Sequence, residues 1–454
     1  MQTIAFSAPD NAMARAAEEI VLQLRQHGFE CFWVGGAVRD MLMEKAIHDI
    51  DLVTNAAPER LAKIFPDLKT VGKSFGVHLI HRGRWDFELA VAREERTYLD
   101  GRHPELVRYT TDFDVDAQRR DFTVNALLFD PVGRKVLDYV GGIEDLKHGI
   151  IRSVGDPERR FKEDYLRMLR LVRFAADLGF EIDCATWQSA CKHAADIGKL
   201  AKERIRSEVT RMLLGRSPAR AMQLLAEAGM MDEFLPEVSQ LRGVQQSENY
   251  HPEGDVFVHT MLMLEHFVPS GNSSADEILV WAVLLHDIGK RLTQTVDAQG
   301  QIHFFGHEAE GAKMVASIAE RLRFRNNDAE AIAELVRRHM TFSQVAEMRP
   351  AKLKRFLALD LFPSMLELNR LDCIACHKLM GAFVFLLDKL CAEAGARRLP
   401  PPLVNGMDLK AAGYLPGPQY STILNAIRDA QLSGQLQRKD EALIFLKKNF
   451  EISR

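Results

Sequence analysis

Two short stretches of this chain hold side chains whose types and spacing fit phosphorus chemistry. The first, VGGAVRDMLMEKAIHDIDLVTNA, begins at Val34 and brings Gly35, Gly36, Arg39, Asp49 and Asp51 within 17 residues. Carboxylates two apart on a strand point to one face. Such a pair can hold Mg2+ ions about 3.5–4 Å apart and clamp the attacking and leaving oxygens of an in-line displacement at phosphorus. Mg2+ prefers one or two carboxylates plus substrate phosphates, which suits Asp-x-Asp. The Gly35-Gly36 turn lets backbone N–H groups approach a triphosphate with no Cβ in the way. Arg39 offers a planar fork to the same phosphates. Asp-x-Asp alone is most often a solvated strand face; the glycines and Arg39 upstream turn the reading toward phosphoryl transfer. Asp86 and Glu88 repeat the spacing, and Glu88 is a candidate third carboxylate.

The second stretch, LLHDIGK from Leu284, delivers His286 and Asp287 at the end of an apolar helical pattern. His259 lies upstream; His307, His339 and Asp372 follow. A lone helical histidine is usually core or surface. Six potential ligands of mixed imidazole and carboxylate type suit a divalent transition metal (Mn, Fe, Ni, Co or Zn) without singling one out. A metal there would support hydrolysis of phosphomonoesters or phosphodiesters. The order H…HD…H…H…D resembles the HD phosphohydrolase superfamily. That resemblance implies one metal on His259, His286, Asp287 and Asp372, and a second associated with His307 and His339. His251 is spare to the pattern. Cys373 and Cys376 form a single C-x-x-C with no partner pair at zinc spacing and read as small buried hydrophobes.

These side chains need elements to carry them. Residues 11–27 read as a helix stopped by Gly28. CFWV, HDIDLVT, FGVHLIHRG and WDFELAVAR read as strands, the second carrying both aspartates. After residue 140 the strand signals fade. EDYLRMLRLVRFAADLGF has helical periodicity ending at Gly179, and helical patterns follow at 199–214 and 218–229. Residues 245–395 are helix-rich and hold eight of the 15 histidines. A Pro-rich break from Arg397 precedes a small helical tail, with Pro416–Pro418 before a helix start. The chain shows no internal repeat or low-complexity segment.

Composition bounds the rest. With 454 residues, 47% hydrophobic and 27% charged, the chain can bury several domain cores. A net charge of −4 advertises no nucleic-acid binder, although it does not exclude a local basic face. Lys199–Arg220 is such a face, with seven Lys/Arg against two Glu, suited to nucleic-acid phosphates. Six cysteines make no disulfide framework and point to a reducing compartment. No signal-peptide pattern opens the sequence and no apolar run approaches a bilayer span, so a cytoplasmic protein is expected.

In EDYLR, Asp164 and Arg167 sit i, i+3 and would share a helix face. A carboxylate accepts from the exocyclic amine of cytosine or adenine, and a guanidinium donates to their ring nitrogens. Uracil and guanine present the opposite polarity, so a fixed Asp/Arg pair predicts an enzyme for C and A.

The motifs GGAVRD…DIDLVTNA, DGRHP (100–104), RRDFTVNAL (119–127) and RFKEDYLRMLRLVRFA (160–175) come in an order that resembles the class II tRNA nucleotidyltransferase and bacterial poly(A) polymerase family. The resemblance covers about residues 25–230. It implies a multidomain α+β then all-α fold: a DNA-polymerase-β-like nucleotidyltransferase head (1–145), a helical neck and body with base and tRNA binding (146–240), an HD domain (241–396) and a helical tail (397–454). It implies Mg2+ at Asp49 and Asp51, triphosphate at Gly35, Gly36 and Arg39, and base reading by Asp164 and Arg167 helped by Arg120. Arg170 and Arg173 become further nucleotide or phosphate contacts. Arg119, Asp121 and Asn125 either position sugar or phosphate or fasten strand to neck. DGRHP becomes a loop that helps switch specificity, with His103 where the family often has Arg.

The expected activity is template-independent addition of C and A from CTP and ATP to a tRNA 3′ end, releasing pyrophosphate. The expected partners are tRNA and those nucleotides, with no membrane and no DNA. Addition of the terminal A alone, or poly(A) synthesis, shares every motif. A different class, an HD phosphohydrolase with an RNA-binding head, would leave Asp49 and Asp51 idle. For the HD half, a small phosphoester such as a 2′,3′-cyclic nucleotide is the expected substrate.

Overall fold

The computed structural model describes residues 1–70, 77–98, 104–247, 251–376, 378–392 and 399–451. The chain divides into two compact units, Met1–Pro236 and Glu237–Arg454.

The first unit is built on an eight-stranded mixed sheet. Its order is Gln2–Ala5, Lys135–Asp138, Leu128–Asp130, Cys31–Val34, Asp51–Thr54, Trp85–Val91, Val77–Arg82 and Lys69–Thr70. Helix Ala12–Gln26 starts where Asn11 accepts from the Ala14 N–H at 2.9 Å and ends before left-handed Gly28. Its apolar face, Ile20, Val21 and Leu24, packs into one core with Trp33, Leu52, Phe87 and Phe129. The first strand, Gln2–Ala5, escaped the sequence reading. It is a short, mostly exposed edge strand without a buried face to give it a pattern.

Register places the chemistry. Strand Cys31–Val34 runs antiparallel to Asp51–Thr54 with Val34 opposite Asp51. The Gly35-Gly36 turn therefore leaves the sheet where the aspartate strand enters it. Trp85–Val91 lies parallel to Asp51–Thr54 with Leu52 opposite Leu89, which sets Glu88 beside Asp51 on the same face. The aspartate strand is shorter than its sequence suggested: it begins at Asp51, and Asp49 precedes it. The helix expected across EDYLR is also two. Pro157–Glu163 ends at Asp164, whose backbone is extended (φ −153°, ψ 105°), and Leu166–Leu178 begins behind it. The i, i+3 face-sharing argument for Asp164 and Arg167 thus fails at a helix break.

Among the described residues the second unit is helical, as expected, with one short two-stranded ribbon, Thr295–Val296 with Ile302–His303. Helices Val256–His266, Ser273–Leu285, His307–Arg321, Asn326–Arg338 and Phe362–Ala375 carry the expected ligands at or near their ends. Gly289 explains the glycine of HDIGK. A Cβ there would run into the His307 carbonyl oxygen and lie 2.8 Å from the Gly311 N–H. Only a bare backbone lets these segments touch. The C-terminal helices Gly406–Ala411, Gln419–Leu432 and Lys439–Asn449 share a small core around Leu409, Ile423 and Leu446.

Candidate functional sites

In the first unit three carboxylates meet where the glycine turn departs. Asp49 and Glu88 are exposed and Asp51 is partly buried. Burial, then Asp49, then Glu88 push the Asp51 carboxyl up to about 6, against the pull of Arg120. A cation bound among these carboxylates would relieve that repulsion. Gly35 is left-handed (φ 76°), and a Cβ on it would point at Asp51 Oδ2 from 3.9 Å. The turn is thus conformationally reserved for glycine and close to the carboxylates.

Arg39 is not a free fork. It is 8% exposed. Its Nε and Nη2 reach Asp40 at 2.8 Å, Nη1 donates to Asn125 at 2.7 Å, and its plane faces Phe174 at 5.5 Å. Arg39 therefore fastens the helix after the turn (Gly36–Leu42) to the Thr123–Asn125 segment. The other arginines are likewise held by protein carboxylates. Buried Asp116 pairs with Arg119 and Arg120, leaving Arg120 Nε without a hydrogen bond. Asp121 takes both Nε and Nη2 of Arg170, at 2.9 and 2.7 Å, so this pair ties the RRDFT segment to the Leu166–Leu178 helix. Arg173 pairs with Glu208 at 2.8 Å.

Asp164 and Arg167 are close in sequence but have separate partners. Arg204 reaches Asp164 Oδ2 at 3.0 Å. Arg167 donates to Glu163 at 2.8 Å and to the Arg160 carbonyl at 3.0 Å. Arg204 was seen only as one charge of a basic run, because nothing local signals a partner forty positions away. That run is partly neutralised: Lys199 pairs with Asp196, Arg211 with Glu208, and Arg220 with Glu181. Residues 100–103 of DGRHP, His103 included, lie outside the described residues.

The second unit brings all six expected ligands together. Ligand atoms of His259, His286 and Asp372 lie within 4.8 Å of one another, and so do those of Asp287, His307 and His339. Asp287 joins the two sets: Oδ2 is 3.0 Å from His286 Nε2, and Oδ1 is 3.3 Å from His307 Nε2. It thus belongs with both groups, beyond the single metal expected for it.

The histidines are oriented by one repeated device. His286, His307 and His339 each present Nδ1 to the carbonyl three residues back, Val283, Phe304 and Val336, at 2.9, 2.8 and 2.6 Å. Nδ1 must then carry the proton, and Nε2 turns its lone pair inward. His259 presents Nδ1 to Glu253 at 2.7 Å, with Nε2 3.2 Å from Asp372. The Nε2 atoms of His307 and His339 face each other at 3.0 Å, and those of His259 and His286 have no aligned hydrogen bond. Buried lone pairs converging in this way fit a cation, and the imidazole-carboxylate set fits a transition metal.

The rings of the cluster are shifted in opposite directions. Burial works against the charge on His259, but Asp372 and Glu253 outweigh it and hold the ring at about 9. Burial, then the charge of His286, pushes His339 down to about 3. Asp287 is held well below the usual carboxylate range: burial opposes this, and His286 and Lys290 overcome it.

Three neighbours had no role in the sequence reading. Glu253 orients His259 and also takes His251 Nδ1 at 2.9 Å, which gives the spare histidine a place. Lys290, the last residue of HDIGK, lies buried 2.7 Å from Asp287 and 2.6 Å from Gln246. The cluster lines a cavity of about 480 Å3.

The poly A polymerase head domain matches residues 31–152. The probable RNA and SrmB-binding site of polymerase A matches 179–241, and the HD domain matches 256–371. A CCA-adding enzyme of Geobacillus stearothermophilus is 41% identical over 218 residues, 48% of this chain and 53% of that protein. One of Leuconostoc mesenteroides is 39% identical over 220 residues, 48% of this chain and 54% of that protein. The chain thus spans about half the length of the curated relatives it matches. Bacillus stearothermophilus CCA-adding enzyme in complex with CTP aligns over 97% of this chain and 98% of its own, at 25% identity and TM-score 0.71. The fold is shared with Thermotoga maritima CCA-adding enzyme complexed with tRNA (20% identity, TM-score 0.61, 99% and 100% covered). Among the described residues no helix is long and apolar enough to cross a membrane.

Proposed function

We propose that this chain, which belongs to the poly A polymerase head-domain family and carries an HD domain behind that head, adds C and A from CTP and ATP to the 3′ end of tRNA. The observation that carries the reading is the gathering of Asp49, Asp51 and Glu88 beside the Gly35-Gly36 turn. Full-length likeness to a CCA-adding enzyme in complex with CTP supports it.

Asp49 and Asp51 would hold Mg2+, which when bound neutralises the triphosphate and aligns the in-line displacement. The backbone of Gly35 and Gly36 receives the triphosphate. Arg39 acts at one remove, by fixing that turn. The tRNA 3′ oxygen bonds to the α-phosphorus, the α–β phosphoanhydride breaks, pyrophosphate leaves, and the hydroxyl proton passes to water. Asp164 and Arg167, braced by Arg204 and Glu163, read the base. Arg120, Arg170 and Arg173 supply positive charge around the nucleotide. We assign residues 1–145 to the head, 146–240 to neck and body, 241–396 to the HD domain and 397–454 to the tail. The six free cysteines fit a cytoplasmic setting.

A second activity is carried by the oriented histidines of the second unit. We assign His259, His286, Asp287, His307, His339 and Asp372 to a divalent transition metal centre that hydrolyses a small phosphoester such as a nucleoside 2′,3′-cyclic phosphate. The metal supplies Lewis-acid activation of phosphate and water. The protein supplies the inward lone pairs, and Lys290 supplies a cation against the substrate's charge.

Single-nucleotide incorporation tests the first activity. It uses tRNA transcripts ending before CCA, after C and after CC, each with Mg2+ and either CTP or ATP. Addition of C to the first two and A to the third is the expected result. Addition of A to the CC end alone would restrict the enzyme to the terminal A. Repeated A on every end would make it a poly(A) polymerase.

A further inference from the structure

We infer that Phe305, braced by His303, is the nucleobase platform of the second unit's cavity, so that this centre selects nucleoside phosphates over phosphoesters that lack a base. The inference rests on the hydrolase reading above and deepens it.

A single exposed Phe ordinarily needs no explanation. Phe305 is 80% exposed and differs in three respects. First, it lines the same cavity as His286, Asp287 and His307. Second, one ring face is already stacked, nearly parallel, on His303: the centroids are 5.2 Å apart and the planes differ by 11°. His303 is itself anchored, with Nε2 2.8 Å from Asp297 Oδ2. Asp297 Oδ1 accepts the Gln299 and Gln301 N–H groups at 2.9 and 2.8 Å, which closes the ribbon's turn. The platform is therefore set before any ligand arrives, and a stacking partner loses little by ordering it. Third, Phe305 is two residues from the ligand His307, so the backbone keeps its Cα within about 7 Å of that ligand's Cα, and both side chains line the one cavity.

Any base has a π-face, so the platform selects for a base without reading which one. Phe304, the intervening residue, turns to Lys290 instead, at 5.4 Å. One aromatic thus backs the phosphate-side cation while the next offers its face to a base.

The test compares wild type, Phe305→Ala and Phe305→Trp on adenosine 2′,3′-cyclic phosphate and on glycerol 2-phosphate, in Mn2+. Loss of base stacking should lower kcat/KM for the cyclic nucleotide about 10-fold or more in Phe305→Ala. Glycerol 2-phosphate hydrolysis should stay unchanged, and Trp should preserve both. An equal fall on both substrates, or no fall on the nucleotide, would overturn the platform. If the wild type hydrolyses neither compound, the hydrolase reading fails separately. Calorimetric binding of adenosine 2′-monophosphate to the Mn2+-loaded protein then decides the platform: Phe305→Ala must weaken it about 10-fold, and equal affinity refutes it.

Discussion

The two sites of this molecule solve opposite problems with overlapping ligand chemistry. The first gathers like charges at two neighbouring central strands of a sheet, where Asp49 and Glu88 reach solvent and Asp51 feels their repulsion. Among the described residues, sets of three ligand groups converging within 4.8 Å occur in the second unit only. On the proposed reading the triphosphate completes the head site, its oxygens joining the protein carboxylates around the Mg2+ that arrives with it. The second site is largely buried, and its histidines are fixed from behind by backbone carbonyls or Glu253. On the proposed reading such a cage keeps a metal with or without substrate. An open carboxylate face suits a reaction whose substrate arrives with its ion. A closed imidazole cage suits a resident ion that acts on whatever enters the cavity.

The contrast can be broken by substitution. The largest effect belongs to Asp51→Ala, expected to lower nucleotide incorporation by at least about 10³-fold, since a metal clamp is worth several kcal/mol at the transition state. Quench-flow or gel-based incorporation at saturating nucleotide reads it.

Glu253→Gln sharpens the other side. It keeps the size of the group behind His259 but removes the charge. Metal affinity of the second unit should fall about 10- to 100-fold, read by competition with a chelating dye. Head incorporation should not change. Unchanged metal affinity would mean that Glu253 is packing alone.

Gly289→Ala attacks the frame of the cage. A methyl there collides with the backbone at His307 and Gly311. We expect about 2 kcal/mol of destabilisation in chemical denaturation and loosened metal retention, with the head again unaffected.

The smallest effect concerns the fastening of the head site to its helix. Burial opposes a charged Asp121, but Arg170 outweighs it and holds the carboxyl below the usual range. Its stabilisation is therefore complete above the unfolded value, about 4, and is lost as pH falls through the lower folded value. Asp121→Asn should cost about 1–2 kcal/mol at neutral pH, reduced by the partial exposure of Arg170. It should also flatten the acid limb of the stability profile measured by urea titration.

How much of this was legible in the sequence follows the same division. Asp49 and Asp51 announce themselves by local spacing, and His286–Asp287 by an apolar helix that ends in two polar ligands. What escaped depends on partners far along the chain. Arg204 meets Asp164 across forty positions, and Asn125 meets Arg39 across 86. No periodicity encodes such pairs, so Arg39 read as a free phosphate fork when it is an internal fastener. Glu253 was invisible because its role exists only once its loop folds back on the following helix. Gly289 looked like part of a motif; its reason is a close backbone approach that only the packed helices reveal. The Asp164 break shows the limit of helical spacing, because local periodicity continued through a point where the backbone turns extended.

The central claim is that the chain holds two separate metal centres with two separate chemistries. A crossed assay of wild type, Asp51→Ala and His286→Ala tests it most directly. Each is given tRNA transcripts with CTP and ATP in Mg2+, and nucleoside 2′,3′-cyclic phosphate in Mn2+. The account predicts that Asp51→Ala loses incorporation and keeps hydrolysis, while His286→Ala loses hydrolysis and keeps incorporation. Survival of incorporation in Asp51→Ala, or loss of both activities in either variant while the protein stays folded, would contradict it.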